Sequence, residues 1–284
     1  MHNFFRKNGG NIAVAGLLSI VLIICTLDFV DRLTDSMNNP PKTASITSGA
    51  NQNVSAYKPD FPILSDKAII TISFDDNGGT VYTEAFPRME KLGLKGTNYV
   101  ITNNIGGKGL LTKDELQEMY DEGWSISNHT LRHINLVSDK GITDGRVVSA
   151  VKDARNRLIA YGWTNGAGEF CAPFDTIDEH ILFLIDPYIT SSTSSQKGLN
   201  DFPLDLTHIS RQGAGENPPE VVISWIDEAI KNKQYMHLYF HQIGPQGGLY
   251  YPPEKFQKII DYIAAKERDG SLKVKTMHEL SHGL

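Results

Sequence analysis

The sequence predicts an α/β protein built on a parallel sheet or barrel, preceded by an apolar N-terminal segment and a polar linker. Three observations predict it. From Ala68 onward, short apolar runs alternate with helical patterns. No dinucleotide-type glycine motif accompanies that alternation. Two groups of chemistry-bearing residues, Asp75-Asp76 and His129 with His133, each follow a predicted strand, which is where open sheets and barrels carry their sites.

The elements follow in order. Strands are predicted at Ala68–Phe74, Thr97–Ile101, Trp124–Asn128, Glu169–Ala172, Tyr188–Ser191, Leu206–Ser210, Tyr235–His241 and Leu272–Lys275. The first is a continuous apolar run stopped by Asn77-Gly78-Gly79, the pattern of a strand buried on both faces. Helices fill most of the gaps. Thr112-Lys113-Asp114-Glu115 reads as a capping box. Thr143 to Tyr161 carries an apolar stripe of Val147, Val148, Val151, Ala154 and Leu158. Pro252-Pro253 start a helix that runs to about Arg268. No internal repeat is visible.

Length and composition bound the rest. A chain of 284 residues suits one large domain plus extras, and its 40% hydrophobic content is ordinary for a globular protein. The net charge of −6 and the absence of a basic stripe argue against nucleic acid as a partner. Arg6 and Lys7 precede an apolar run, Ile12 to Leu27, with Asp28, Asp31 and Asp35 after it. Residues 1–30 are therefore expected to be a signal anchor, a single membrane-spanning segment with the rest of the chain outside the cytoplasm. A cleaved secretory signal is the alternative. Residues 31–60, rich in Asn, Ser, Thr, Ala and Pro, are expected to be a flexible linker. The domain proper is expected over 61–284. The two cysteines, Cys25 and Cys171, lie one in the apolar run and one in the domain, so no disulfide forms within the domain.

Two adjacent carboxylates at a strand end repel, and a metal can divide their roles. One binds the ion and the other stays free as a base. Histidines at i and i+4 add two ligands. Asp plus two His with an open position is a catalytic-metal set suited to zinc or a similar ion. Taken separately, an Asp-Asp before a glycine-rich turn is more often a solvated loop, and His-x-x-x-His is mostly chance. Their order and setting together favour a site.

Those motifs carry a family resemblance. Ser73-Phe74-Asp75-Asp76-Asn77 and His129-Thr130-Leu131-Arg132-His133 are similar to the first two motifs of the polysaccharide deacetylases, also called NodB-homology domains or carbohydrate esterase family 4. Phe170-Cys171-Ala172-Pro173-Phe174-Asp175 resembles the third motif, and Leu238-Tyr239-Phe240-His241 the last. The resemblance covers roughly Lys67 to Leu280. It implies a distorted (β/α) barrel of seven to eight strands. It implies Asp76, His129 and His133 as metal ligands, Asp75 as general base and His241 as general acid. Zn²⁺ is the expected ion, with Co²⁺ or Ni²⁺ able to substitute. Phe174, after Pro173, would offer its backbone N–H to the oxyanion. Thr130 would steady the metal loop. Leu238 is a candidate for lining the acetyl pocket, with ordinary core as the equal alternative.

The departures are specific. Cys171 stands where many members have an arginine that holds the catalytic aspartate. Arg211 is the candidate substitute, expected to pair with Asp75. The usual motif-four Asp-x-x-Asp-Trp is absent, and Asp201 and Asp205 are nearby acids without the tryptophan. Asn77 and Asp175 each replace a usual glycine. The function implied is metal-dependent removal of N-acetyl groups from N-acetylglucosamine-containing polysaccharide: peptidoglycan, chitin-like or exopolysaccharide. An O-acetyl esterase of xylan-type polymers, or a degenerate sugar-binding domain, are the alternatives.

Overall fold

Strand β1, Ala68–Asp75, is buried along its whole length, as its uninterrupted apolar run requires. In the computed structural model, which describes residues 55–245 and 247–284, β1 has neighbours on both edges. One edge pairs with β7, Tyr235–Phe240, from Ile69↔Tyr235 to Phe74↔Phe240. The other edge is shared. Its C-terminal part pairs with β2, Thr97–Val100, and its N-terminal part with β8, Leu272–Val274. Between β2 and β7 run β3 (Ser125–Asn128), β4 (Glu169–Phe170), β5 (Ser191–Lys197) and β6 (Ile209–Gly213), each parallel to the next. The return from β7 to β1 closes a seven-stranded parallel barrel, with β8 wedged beside β1. This is the (β/α) barrel of the sequence expectation. β4 is only two residues long, which accounts for its distortion.

Successive side chains of a strand face opposite ways, and the barrel uses this to separate an apolar coat from a polar interior. Ile70, Ile72, Phe74, Met236, Leu238 and Phe240 belong to the main core, under the helices. The Phe74 ring meets Trp124, Phe240 and Phe256, each with centroids 5.9 Å apart. Such pairs add about 0.5–1.5 kcal/mol each beyond area burial. The helices of the coat are α1 (Phe86–Glu90), α2 (Lys113–Asp121), α3 (Asp144–Ala160), α4 (Glu179–Ile185), α5 (Pro219–Asn232), α6 (Pro253–Arg268) and α7 (Met277–Ser281). The Thr112 capping box is present: Glu115 N donates to Thr112 Oγ1 at 3.2 Å, and Thr112 N donates to Glu115 Oε2 at 2.7 Å.

Two strands lie away from their expected places. The expected strand Tyr188–Ser191 covers a turn and only the first residue of β5, and Leu206–Ser210 lies about three residues early. β5 reads Ser-Ser-Thr-Ser-Ser-Gln-Lys, without an apolar run to mark it, although its first four residues are buried. The candidate membrane segment, residues 1–30, and most of the linker lie outside the described residues. Among the described residues no helix is long and apolar enough to cross a membrane. The end of the linker segment touches the domain: Ala56 N donates to Pro187 O at 2.8 Å.

The polar interior includes a histidine that sequence reading passed over. His237 is fully buried, its Nε2 2.9 Å from Ser73 Oγ and its ring stacked on Tyr99. Burial, reinforced by Arg211 and opposed by Asp75, pushes its pKa down to about 3. Unfolded, it would titrate near 6.5. Below that pH the unfolded chain takes up a proton that the folded chain refuses, so stability falls as pH drops from about 6.5 to about 3, by about 1.4 kcal/mol per unit. His237→Gln keeps a partner for Ser73 and is expected to flatten this slope. Urea midpoints between pH 7 and pH 4 check it, and an unchanged slope would assign the acid sensitivity elsewhere.

Candidate active site

The barrel mouth gathers the site because β1, β3 and β7 all end there. Asp75 closes β1 and points into the barrel, 3% exposed. The next two residues take left-handed backbone, with φ 70° at Asp76 and 45° at Asn77. That pair of torsions turns the second carboxylate toward the neighbouring loop. Asparagine is among the non-glycine residues that tolerate this region, which explains how Asn77 replaces a glycine. Its Oδ1 accepts from Ile101 N at 3.3 Å and its carbonyl from Leu111 N at 2.9 Å, tying the turn down.

The two histidines sit on a tight turn after β3. Asn128 Oδ1 accepts from Thr130 N at 2.9 Å, and Thr130 Oγ1 accepts from His133 N at 2.9 Å. Thr130 and His133 both have positive φ, 67° and 55°. His129 Nδ1 lies 2.8 Å from Cys171 O. That contact places the proton on Nδ1 and leaves the Nε2 lone pair facing Asp76, as a ligand imidazole needs.

Asp76 Oδ1 is 3.3 Å from His129 Nε2 and 3.1 Å from His133 Nε2. It is buried and has no hydrogen-bond partner. Donors held about 2.1 Å from one tetrahedral ion lie roughly 3.3–3.5 Å from one another, so these residues fit a divalent ion. The electrostatics agree. Burial opposes charge on His129, yet the carboxylates of Asp76 and Asp75 raise its pKa well above the ordinary value. Burial likewise opposes charge on Asp76, and the two histidines outweigh it and hold the carboxyl far below its usual range. The site favours positive charge where a cation would sit.

Asp75, His129 and Cys171 also cluster, but they fit an ion poorly. Burial pushes the Cys171 thiol up, against the smaller effect of Arg211, so it stays protonated. Arg211 already occupies the carboxylate. Its Nη1 donates to both oxygens of Asp75, at 3.1 and 2.8 Å. Its Nε donates to Asp175 Oδ1 at 3.2 Å, its Nη2 donates to the same oxygen, and its guanidinium lies 4.0 Å from the centroid of the Tyr239 ring. Tyr239 OH closes the network on Asp175 Oδ2 at 3.1 Å. Burial would raise the pKa of Asp75, but Arg211, His129 and His241 together lower it. Asp75 is thus an ionised carboxylate beside the trio of Asp76, His129 and His133.

His241, just after β7, places Nε2 3.8 Å from Asp76 Oδ2. Phe174 stands exposed with φ 62°, its ring 4.6 Å from that of His133, while Pro173 is buried beneath it. Leu238 is not brought to the site. It belongs to the main core, on the face of β7 opposite Tyr239 and His241. Asp201 and Asp205 also bond elsewhere, to Gln234 and to Thr207 and His208. The residues that sequence reading missed are Tyr239 and the role of Asp175. Tyr239 could have been found by counting back two from His241 on a strand. Beside His241 a cleft of about 370 Å³ is lined in part by Lys197, Gln212, Asn217, Tyr239 and Tyr250.

A parallel barrel with an aspartate–dihistidine centre at its mouth is the class this architecture defines. Residues 65–184 match the polysaccharide deacetylase family model. A Bacillus subtilis protein named as a candidate polysaccharide deacetylase is 35% identical over 91 residues, covering 32% of this chain and 31% of that protein. The poly-beta-1,6-N-acetyl-D-glucosamine N-deacetylase of Staphylococcus epidermidis is 40% identical over 70 residues, covering 22% and 24%. The chain thus matches under a third of the length of these curated relatives. The fold is shared with a family 4 acetyl xylan esterase from Clostridium thermocellum (TM-score 0.53, 15% identity, 75% of this chain and 89% of that one). It is also shared with the peptidoglycan deacetylase PdaC of Bacillus subtilis (TM-score 0.51, 13% identity, 76% and 90%).

Proposed function

We propose that the domain hydrolyses N-acetyl groups on an N-acetylglucosamine-containing polysaccharide. The observation that carries this reading is the convergence of Asp76 Oδ1, His129 Nε2 and His133 Nε2 beside the ionised, Arg211-held Asp75. Asp76, His129 and His133 would hold a divalent ion of the zinc class, which supplies a polarised water and an electrophile for the acetyl carbonyl. Asp75 accepts the proton of the attacking water, and Arg211 keeps it ionised until then. The backbone N–H of Phe174 donates to the oxyanion. As the C–N bond breaks, His241 gives a proton to the leaving amine, and acetate and a free amino sugar result.

Among polymers, the Staphylococcus relative's name favours poly-β-1,6-N-acetylglucosamine over peptidoglycan or chitin-like chains. The acetyl xylan esterase among the solved structures keeps an O-acetyl reading in view. The test is acetate release by the zinc-loaded full chain from β-1,6- and β-1,4-linked N-acetylglucosamine oligomers and from acetylated xylan. Release from the β-1,6 oligomers at the highest kcat/KM is expected. Release from xylan alone would replace an amidase with an esterase.

A further inference from the structure

The opposite end of the barrel carries a second trio of metal-ligand side chains. Glu169 opens β4, so it lies at the strand end away from the mouth, and its side chain is 1% exposed. Helix α7 is pinned across that end. Met277 N donates to Thr97 Oγ1 at 2.9 Å and His278 N to Ser125 Oγ at 3.3 Å, at the first residues of β2 and β3. This docking sets His278 and His282, one helical turn apart, against Glu169. The Nδ1 atoms of both lie 3.6 Å from Glu169 Oε1.

We propose that Glu169, His278 and His282 form a second divalent transition-metal site, of the zinc class, that staples the C-terminal helix to the floor of the barrel. The site is independent of the reaction at the mouth. The spacing is its first support. Separations of 3.6 Å are close to the roughly 3.3–3.5 Å between donors of one tetrahedral ion, and resemble those of the trio at the mouth. All three groups offer a donor within 4.8 Å of the others. His278 Nδ1 is buried without a hydrogen-bond partner, a lone donor or acceptor that an ion would satisfy. Ser281 Oγ donates to Glu169 Oε1 at 2.7 Å and fixes the carboxylate, an orienting contact typical around metal ligands. The Tyr57 ring stacks on His282 at 4.3 Å and covers one side. A pocket of about 180 Å³, lined by Glu169, His282, Tyr57 and Arg155 among others, gives an entry path and room for a water as a further ligand.

Two features compete with the ion and set the site apart from the one at the mouth. Arg155 lines the same pocket, where burial lowers its pKa and the charge of Glu169 partly opposes that. His282 Nδ1 also lies 2.9 Å from His278 O. On binding, the ring proton of His282 shifts to Nε2 by exchange with solvent, and that contact is given up. The second site is therefore expected to be the weaker of the two.

The experiment counts ions. The full chain, stripped with chelator, is titrated with Zn²⁺, and bound zinc is counted after gel filtration. The wild type is expected to bind two ions. Asp76→Ala, Glu169→Gln and His278→Ala should each bind one, and Asp76→Ala combined with His278→Ala none. Zinc should also raise the unfolding temperature of Asp76→Ala but not of the double variant. His282→Gln, at a partly exposed position, repeats the test should His278→Ala fold poorly. An Asp76→Ala chain that binds no zinc, or one whose bound ion survives both His278→Ala and His282→Gln, overturns the proposal.

Discussion

Asp75→Asn is expected to lower acetate release by about 10³-fold while zinc stays bound. General bases of this kind contribute about 10²–10⁴-fold, and the upper part of that range applies because, among the described residues, no other free carboxylate reaches the site. Asp76 is turned toward His129 and His133. Asp175 is occupied by Arg211 and Tyr239. The asparagine side chain is nearly isosteric and keeps an oxygen for Arg211, so the loss reports the missing base and leaves the fold in place.

Arg211→Met has the largest expected effect on stability. The guanidinium is 3% exposed and sits between two carboxylates, of which Asp75 is almost fully buried. Removing one member of a buried pair leaves an uncompensated charge, at a cost of about 3–5 kcal/mol. The partly exposed Asp175 recovers some solvation and keeps the cost toward the lower figure. The same change acts on the reaction. Without Arg211, burial is less opposed and the Asp75 pKa rises. The acid limb of the kcat/KM profile then moves to higher pH. Arg211→Lys restores a charge without the planar fork and should fall between. Denaturant midpoints and pH–rate profiles read both effects. Full stability and an unmoved acid limb in Arg211→Met would remove Arg211 from the mechanism.

Much of this architecture was legible because apolar strands and capped helices announce themselves. Ala68–Phe74 and Tyr235–His241 are continuous runs, and the structure places β1 and β7 there. The capping box at Thr112 set the start of α2. β5 was not legible, because its buried residues are serines and a threonine where a core strand has valines. The aspartate–dihistidine set was legible from spacing and motif. What the spacing could not give was how the residues are held: the left-handed turn at Asp76 and Asn77, and the Asp175–Arg211–Tyr239 network. That network joins three elements far apart in the chain. Of the two readings of Leu238, acetyl-pocket lining and ordinary core, strand alternation decides for the core.

The most direct test of the account is zinc content and acetate release measured on the same samples of wild type and Asp75→Asn, with N-acetylglucosamine oligomers as substrate. The account predicts equal zinc in both and release by the wild type alone, abolished by chelator and restored by zinc. Undiminished release by Asp75→Asn, or release by wild type that ignores chelation, would contradict it.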